Sequence, residues 1–263
     1  YNIDAPIVVA MIQTLRNKKK DILAEFGLII IDEVHHLPAN IFKDVIDNFK
    51  SRYKIGLTAT DWRKDGKHIM LKDYLGSIVH RAVDIRGMKP TVTIVESQIE
   101  FSSNSMIPWA TRVNDLTNNI QYIELVLNLA QAQAERGHKV LLVSDRVEFL
   151  QTAADILENF KLITGATKDR SFDPDKEDGI LGSIKIFSEG VNIPPLSCII
   201  LGTPMNNRGL LEQLIGRIRR QHEGKMQPEV IDIVLKGYTG KNQSAERINY
   251  YMGKGYKLRY IDA

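Results

Sequence analysis

Short runs of branched apolar residues, each followed by a longer amphipathic stretch, recur along this chain and constrain its fold class more than any other feature. The runs at 7–10, 28–31, 53–57, 140–143, 180–184, 198–201 and 230–235 are rich in Ile and Val. They lack a clean apolar–polar alternation, which is the pattern of strands covered on both faces. Between them, residues 41–50, 119–136, 146–160, 208–220 and 244–252 carry apolar residues at helical spacing. Strand–helix alternation of this kind predicts an α/β fold with largely parallel sheets. The strands fall into two groups. Residues 86–118 interrupt them with Arg86-Gly87-Met88-Lys89-Pro90, a Thr/Val-rich segment, Ser102-Ser103-Asn104-Ser105 and Pro108. A boundary near residue 87 gives two domains, 1–87 and 88–263, with the strand after the boundary belonging to the second. A length of 263 residues suits one large domain or two small ones.

Composition removes several classes. With 43% hydrophobic and 25% charged residues, the chain is an ordinary globular one and wholesale disorder is excluded. The single cysteine, Cys198, excludes a disulfide framework and a multi-cysteine zinc site, and it fits a reducing cytoplasm. No apolar run approaches the roughly 18 residues of a membrane span, so no membrane partner is expected. The net charge of +3 is too small to define a partner, but residues 206–263 hold 11 Lys+Arg against 6 Asp+Glu. A basic C-terminal third suits phosphates, and equally a solvated helical surface. The sequence starts at Tyr1, not Met, inside an expected strand, and reads as a piece of a longer chain.

Four segments carry chemistry. In Leu28-Ile29-Ile30-Ile31-Asp32-Glu33-Val34-His35-His36 a buried strand ends in adjacent carboxylates. Ligands of open α/β sheets bind beyond the carboxyl ends of strands. One carboxylate there can hold Mg²⁺ through its water shell while the other orients or deprotonates an attacking water. Such a pair can also simply cap the following helix. In Tyr53-Lys54-Ile55-Gly56-Leu57-Thr58-Ala59-Thr60 a second strand ends in small hydroxyl residues. The third segment is Ser188-Glu189-Gly190-Val191-Asn192-Ile193-Pro194, and the fourth is Gln213-Leu214-Ile215-Gly216-Arg217-Ile218-Arg219-Arg220.

On a helical wheel at about 100° per residue, Gln213, Arg217 and Arg220 share one face, and Leu211, Leu214, Ile215 and Ile218 form the opposite, core-facing stripe. Two guanidinium groups on one face make a fork suited to phosphate oxygens, or an ordinary basic surface. Arg219 points sideways, toward solvent. The acidic stretch Asp173–Gly179 has Gly at the seventh position where a calcium loop needs it at the sixth, so it is read as an exposed turn.

In this order, the four segments resemble motifs II, III, V and VI of the superfamily 2 helicases and translocases, the DEAD/DEAH-like group. Gly56–Thr60 followed by Arg63-Lys64-Asp65-Gly66 looks most like the XPB-type and phage DNA helicase branch. Lys139–Val143 with Ser144-Asp145-Arg146 is similar to motif IV, and Ile163-Thr164-Gly165 to a turn that contacts nucleic acid. The resemblance implies two RecA-like domains, the first incomplete, and an ATP-dependent motor for DNA in replication, recombination or repair.

It implies roles for individual residues as well. Asp32 would position Mg²⁺, Glu33 would act on the water that attacks the γ-phosphate, and His35 would couple that site to the second domain. Thr58, Ala59 and Thr60 would link hydrolysis to domain movement. Gln213, Arg217 and Arg220 would approach ATP across the interdomain cleft, with Gly190 and Asn192 lining it. Thr14, Ser144, Arg146, Thr164 and Gly165 would follow the nucleic-acid strand.

Three departures qualify the match. Asn192 stands where the family usually has Asp, keeping the hydrogen bond and losing the charge. Met11 stands where related chains often carry Thr. The phosphate-cradling Gly-x-x-x-x-Gly-Lys-Ser/Thr occurs nowhere in the 263 residues. That loop is expected in a segment before Tyr1, and these residues alone are expected to be inactive as an ATPase. An RNA helicase, a restriction-system translocase subunit and a non-catalytic nucleic-acid-binding module are the competing functions. Tyr250, Tyr251, Tyr256 and Tyr260 are expected to pack the terminal helix, with base stacking the alternative.

Overall fold

The computed structural model describes residues 5–15, 25–34, 44–58, 68–80, 87–188 and 190–263. The chain divides into two compact units, Tyr1–Val83 and Asp84–Ala263.

In the first unit, β1 (Leu28–Ile31) pairs in parallel with β2 (Tyr53–Gly56), Leu28 opposite Tyr53 and Ile31 opposite Gly56. Successive side chains of a strand point to opposite faces. Ile29 and Ile31 therefore face inward together, and Ile31 packs with Val34, Ile46, Tyr74 and Leu75. Leu75 closes the short helix α2 (His68–Leu75). A Cβ on Gly56 would lie 2.5 Å from the Leu75 Cδ1 atom, so a larger residue here would require the Leu75 side chain of α2 to shift. The run at 7–10 is not a strand. It leads into a single helical turn, α1 (Ile12–Leu15), with Ile7 82% and Val9 92% exposed. A four-residue apolar run does not by itself distinguish a strand from an extended connection, and no ladder partner pairs with this one among the described residues.

The second unit is built on seven parallel strands: β3 (Thr91–Glu100), β4 (Val140–Ser144), β5 (Phe160–Ile163), β6 (Gly179–Ser183), β7 (Cys198–Leu201), β8 (Glu229–Lys236) and β9 (Lys257–Asp262). Their order across the sheet is β5-β6-β4-β7-β8-β3-β9. Helices α3 (Trp109–Thr117), α4 (Ile120–Glu135) and α5 (Val147–Ile156) cover one face. Helices α6 (Ile184–Ser188), α7 (Arg208–Ile218) and α8 (Tyr238–Gly253) contribute to the core on the other. Val140 and Leu142 join the first core, while Leu141 and Val143 join the second. Because both faces are covered, both sets of alternating positions are apolar, and this explains the unalternating strand pattern.

Polar networks tie the ends of this sheet. At its amino end, the Glu229 carboxylate accepts hydrogen bonds from Thr93 (2.6 Å), Arg259 (2.9 Å) and Arg136 (3.2 Å). His138 lies 3.5 Å from the same carboxylate and 3.0 Å from the Ser197 hydroxyl. This Ser–His–Glu grouping is buried, and the Ser197 oxygen accepts the Lys139 N–H, so it fastens strands β3, β7, β8 and β9. In the other core, Arg247 of α8 makes a bidentate pair with Asp232 of β8, and the Tyr251 hydroxyl donates to the same carboxylate at 2.7 Å. Tyr250, Tyr251 and Tyr256 are buried and pack the terminal helix, whereas Tyr260 on the edge strand is 54% exposed. The acidic segment after Asp173 is a turn closed by a 3.0 Å Lys176–Asp173 pair. No helix among the described residues is long and apolar enough to cross a membrane.

Candidate nucleotide and nucleic-acid sites

In the first unit, two backbone bonds join the carboxyl ends of β1 and β2. Leu57 N–H donates to the Ile31 carbonyl at 2.8 Å, and Val34 N–H donates to the Leu57 carbonyl at 3.1 Å. They hold Asp32-Glu33 beside Leu57-Thr58. Asp32 is exposed, and its carboxylate accepts the Glu33 N–H at 2.9 Å. Glu33 has φ +46°, the one non-glycine residue in the left-handed region among those described. That conformation costs about 1–2 kcal/mol, and strain of this kind gathers at functional sites. Asp32 is an accessible hard oxygen donor, the type Mg²⁺ binds through its water shell. Thr58 is exposed, and Thr14 is half-buried in α1 with its N–H bonded to the Met11 carbonyl at 2.9 Å. His35, Ala59, Thr60 and Arg63–Gly66 lie outside the described residues.

In the second unit, α7 presents the face expected of it: Leu211, Leu214, Ile215 and Ile218 are buried, and Gln213 and Arg217 lie on the partly exposed side. Asn207 caps the helix by accepting the Leu210 N–H at 3.2 Å. The helix ends at Ile218, two residues before the expected end, so Arg220 lies past its last turn. Arg217 donates through Nε to the Phe187 carbonyl (2.8 Å) and through its terminal nitrogen to the Ser188 carbonyl (2.7 Å). Arg220 donates to the Asn192 side-chain oxygen. Both arginines are thus braced against the segment that carries Gly190 and Asn192. Gly190 has φ +93° with no atom within 4 Å of where a Cβ would stand, so its constraint comes from the backbone alone. Arg219 is not simply solvated. Its Nε donates to the Met88 carbonyl at 3.0 Å, its own carbonyl accepts the Met88 N–H at 3.1 Å, and its guanidinium lies 5.9 Å from the Tyr256 ring centre.

The residues expected along a nucleic-acid strand differ in accessibility. Ser144 is fully buried, and its hydroxyl accepts the Arg146 N–H at 2.9 Å, shaping the turn beneath the surface. Arg146 is half-buried, 3.6 Å from Asp145 and 3.5 Å from the Ala110 carbonyl. Thr164 is buried and its N–H donates to the Thr167 hydroxyl at 3.0 Å, which leaves Gly165 exposed at the tip of the turn. Arg146 and Gly165 follow β4 and β5, so both lie at the carboxyl end of the parallel sheet. Lys225, Asp232 and Arg247 are each central to this unit's polar contacts, and no sequence motif marks them.

The fully parallel sheet covered on both faces, with an arginine-bearing helix following one of its strands, matches the fold of RecA-like helicase domains among solved structures. The family described as Type III restriction enzyme, res subunit, matches residues 1–62, and the Helicase conserved C-terminal domain matches residues 120–222. The chain is 40% identical over 268 residues to "Probable helicase D10" of Escherichia phage T5, covering 98% of this chain and 60% of that protein. It is 23% identical over 282 residues to DNA 3'-5' helicase XPB of Kineococcus radiotolerans, covering 98% of this chain and 50% of that one. Among solved structures, S. cerevisiae Dbp5 bound to RNA and ADP BeF3 superposes with a TM-score of 0.59 at 10% identity, over 91% of this chain and 60% of that one. This chain belongs to the superfamily 2 helicases. It spans about half to three fifths of the length of these curated relatives.

Proposed function

We propose that the 263 residues belong to an ATP-dependent DNA helicase or translocase, with candidate nucleotide-binding groups in each unit. The observation that carries this reading is the bracing of Arg217 and Arg220 against residues 187–192. Guanidinium groups held in place before the reaction stabilise charge on a transferring phosphoryl group without reorganising during it.

Bound ATP would supply a γ-phosphoryl group whose charge Mg²⁺ would partly neutralise. Asp32 would hold the cation through water. Glu33 accepts a hydrogen bond from the attacking water, orients it and takes its proton. Gln213, Arg217 and Arg220 bear on the phosphate oxygens, with Gly190 and Asn192 beside them. Thr58 and its two successors, with His35, transmit the state of the site. Arg146 and the Gly165 turn bear on the phosphates of a strand, with Thr14 contributing from the first unit. The two domains of this reading, 1–87 and 88–263, divide the chain within four residues of the boundary between the two compact units. The single buried cysteine favours the cytoplasm as the place of action.

DNA is preferred to RNA on the strength of Asp-Glu-Val-His and Arg63–Gly66, and of the XPB relative, whose name specifies a DNA helicase. Because Gly-x-x-x-x-Gly-Lys-Ser/Thr does not occur in the 263 residues, they should hydrolyse little or no ATP by themselves. The test is ATP hydrolysis by the protein as its whole gene encodes it, with duplex DNA, single-stranded DNA or RNA added. Stimulation by DNA well above that by RNA supports the reading. Stimulation by RNA alone makes it an RNA helicase, and no hydrolysis with any nucleic acid leaves a binding module.

A further inference from the structure

Three side chains stitch the end of α7 to the segment 187–194, and the third comes from outside both. Arg217 reaches the Phe187 and Ser188 carbonyls, and Arg220 reaches Asn192. Lys225 then folds back and donates through Nζ to the Pro194 carbonyl at 2.9 Å and to the Arg220 carbonyl at 2.8 Å. The reversal is made by a turn in which Lys225 N–H bonds the His222 carbonyl at 3.3 Å, with Gly224 at φ +71°.

Position makes this contact consequential. Arg217 sits inside α7, so the helix itself aims its side chain. Arg220 lies beyond the last helical residue, where chain ends fray and carbonyls lack intrahelical partners. A lysine at a helix carboxyl end satisfies such carbonyls and complements the helix dipole. Here the same ammonium also pins the loop that carries Asn192, the side chain Arg220 bonds. Burial, with the neighbouring Arg220 charge adding to it, holds the Lys225 pKa down to about 8, so the group is partly dehydrated where it bonds both carbonyls.

We propose that Lys225 is a positioning residue for Arg220: by bonding the Pro194 and Arg220 carbonyls together, it fixes the offset between the end of α7 and the 190–194 loop and so the place of the guanidinium. The inference rests on the proposed ATPase function. Lys225 touches no substrate and acts only through Arg220.

The test uses the protein encoded by the whole gene and compares wild type, Lys225→Met and Lys225→Arg. Met keeps the apolar stem and removes the donors, while Arg keeps donors and charge. The readouts are DNA-stimulated kcat, KM for ATP, thermal midpoint, and affinity for ADP with and without aluminium fluoride. Lys225→Met should lower kcat about ten- to a hundredfold, the effect of misplacing a transition-state group by about 1 Å, and change KM by less than about threefold. Its preference for ADP–aluminium fluoride over ADP should fall by a similar factor, because that complex mimics the charge Arg220 meets. Lys225→Arg should keep most of both.

A Lys225→Met protein with wild-type kcat, or with lower kcat but an unchanged aluminium fluoride preference, overturns the inference. The second result would mark Lys225 as merely structural. An active wild type with an unaffected variant sinks this inference alone, whereas an inactive wild type sinks the functional reading and this inference with it.

Discussion

Arg220 donates a hydrogen bond to the side-chain oxygen of Asn192, joining the end of α7 to the loop that follows Gly190. The amide supports the guanidinium without neutralising it. Asn192→Ala should therefore release Arg220 and lower DNA-stimulated kcat about tenfold or more, with little effect on the thermal midpoint. Asn192→Asp should hold Arg220 as an exposed ion pair worth at most about 1 kcal/mol, while reducing the positive charge it offers to phosphate. Steady-state ATPase measurements on both variants separate support of the guanidinium from its charge. Equal activity in Asn192→Ala and wild type would show that the contact has no part in turnover.

Arg247 and Asp232 form the most demanding contact in the second core, at 2.8 and 2.6 Å with both side chains buried, and Arg247 also bonds the Met205 carbonyl at 2.9 Å. Removing one member strands a buried charge. Arg247→Leu should cost about 3–5 kcal/mol of stability, measured by urea unfolding of the chain. A loss below about 1 kcal/mol would mean that the site relaxes or admits water.

Glu229 gives the stability a defined acid limit. Burial pushes its pKa up, but hydrogen bonds from His138 and Thr93 and the charges of Arg136 and Arg259 outweigh it and hold the carboxyl down to about 2. A folded pKa below the unfolded value of 4.5 means that the unfolded chain binds the proton more readily in that window. The contribution is therefore complete above about pH 4.5 and is lost as pH falls toward 2. Urea midpoints across this range should fall with pH in the wild type and fall less steeply in Glu229→Gln.

Gly216 sits in the middle of α7, and a Cβ there would meet no atom within 4 Å. Nothing within the unit requires glycine at this position. Gly216→Ala should raise stability by about 0.5–1 kcal/mol through helix propensity. Thermal unfolding checks the sign. If the same variant loses ATPase activity, a second surface approaches the helix closely there during turnover.

Much of this arrangement was legible in the residues. The both-face burial of β4 and β7 was visible in Val140–Val143 and Cys198–Leu201, because a doubly covered strand buries both sets of alternating positions. The buried stripe of α7 followed from the spacing of Leu211, Leu214, Ile215 and Ile218. Edge strand β9 was not legible, since Lys257, Arg259 and Tyr260 leave no apolar run to find. Helix α3 was hidden for a related reason: Trp109-Ala110-Thr111-Arg112 follows a Ser/Asn/Pro-rich stretch that reads as loop. Lys225, Asp232 and Arg247 were invisible because their partners lie on other elements or are backbone carbonyls, and sequence spacing encodes neither.

The most direct test of the central claim is ATP hydrolysis by the whole gene product carrying Glu33→Gln. The account predicts that the wild type hydrolyses ATP and is stimulated by DNA, while the variant still binds ATP but loses stimulated turnover by about a hundredfold or more. DNA-stimulated hydrolysis at the wild-type rate in Glu33→Gln would contradict it.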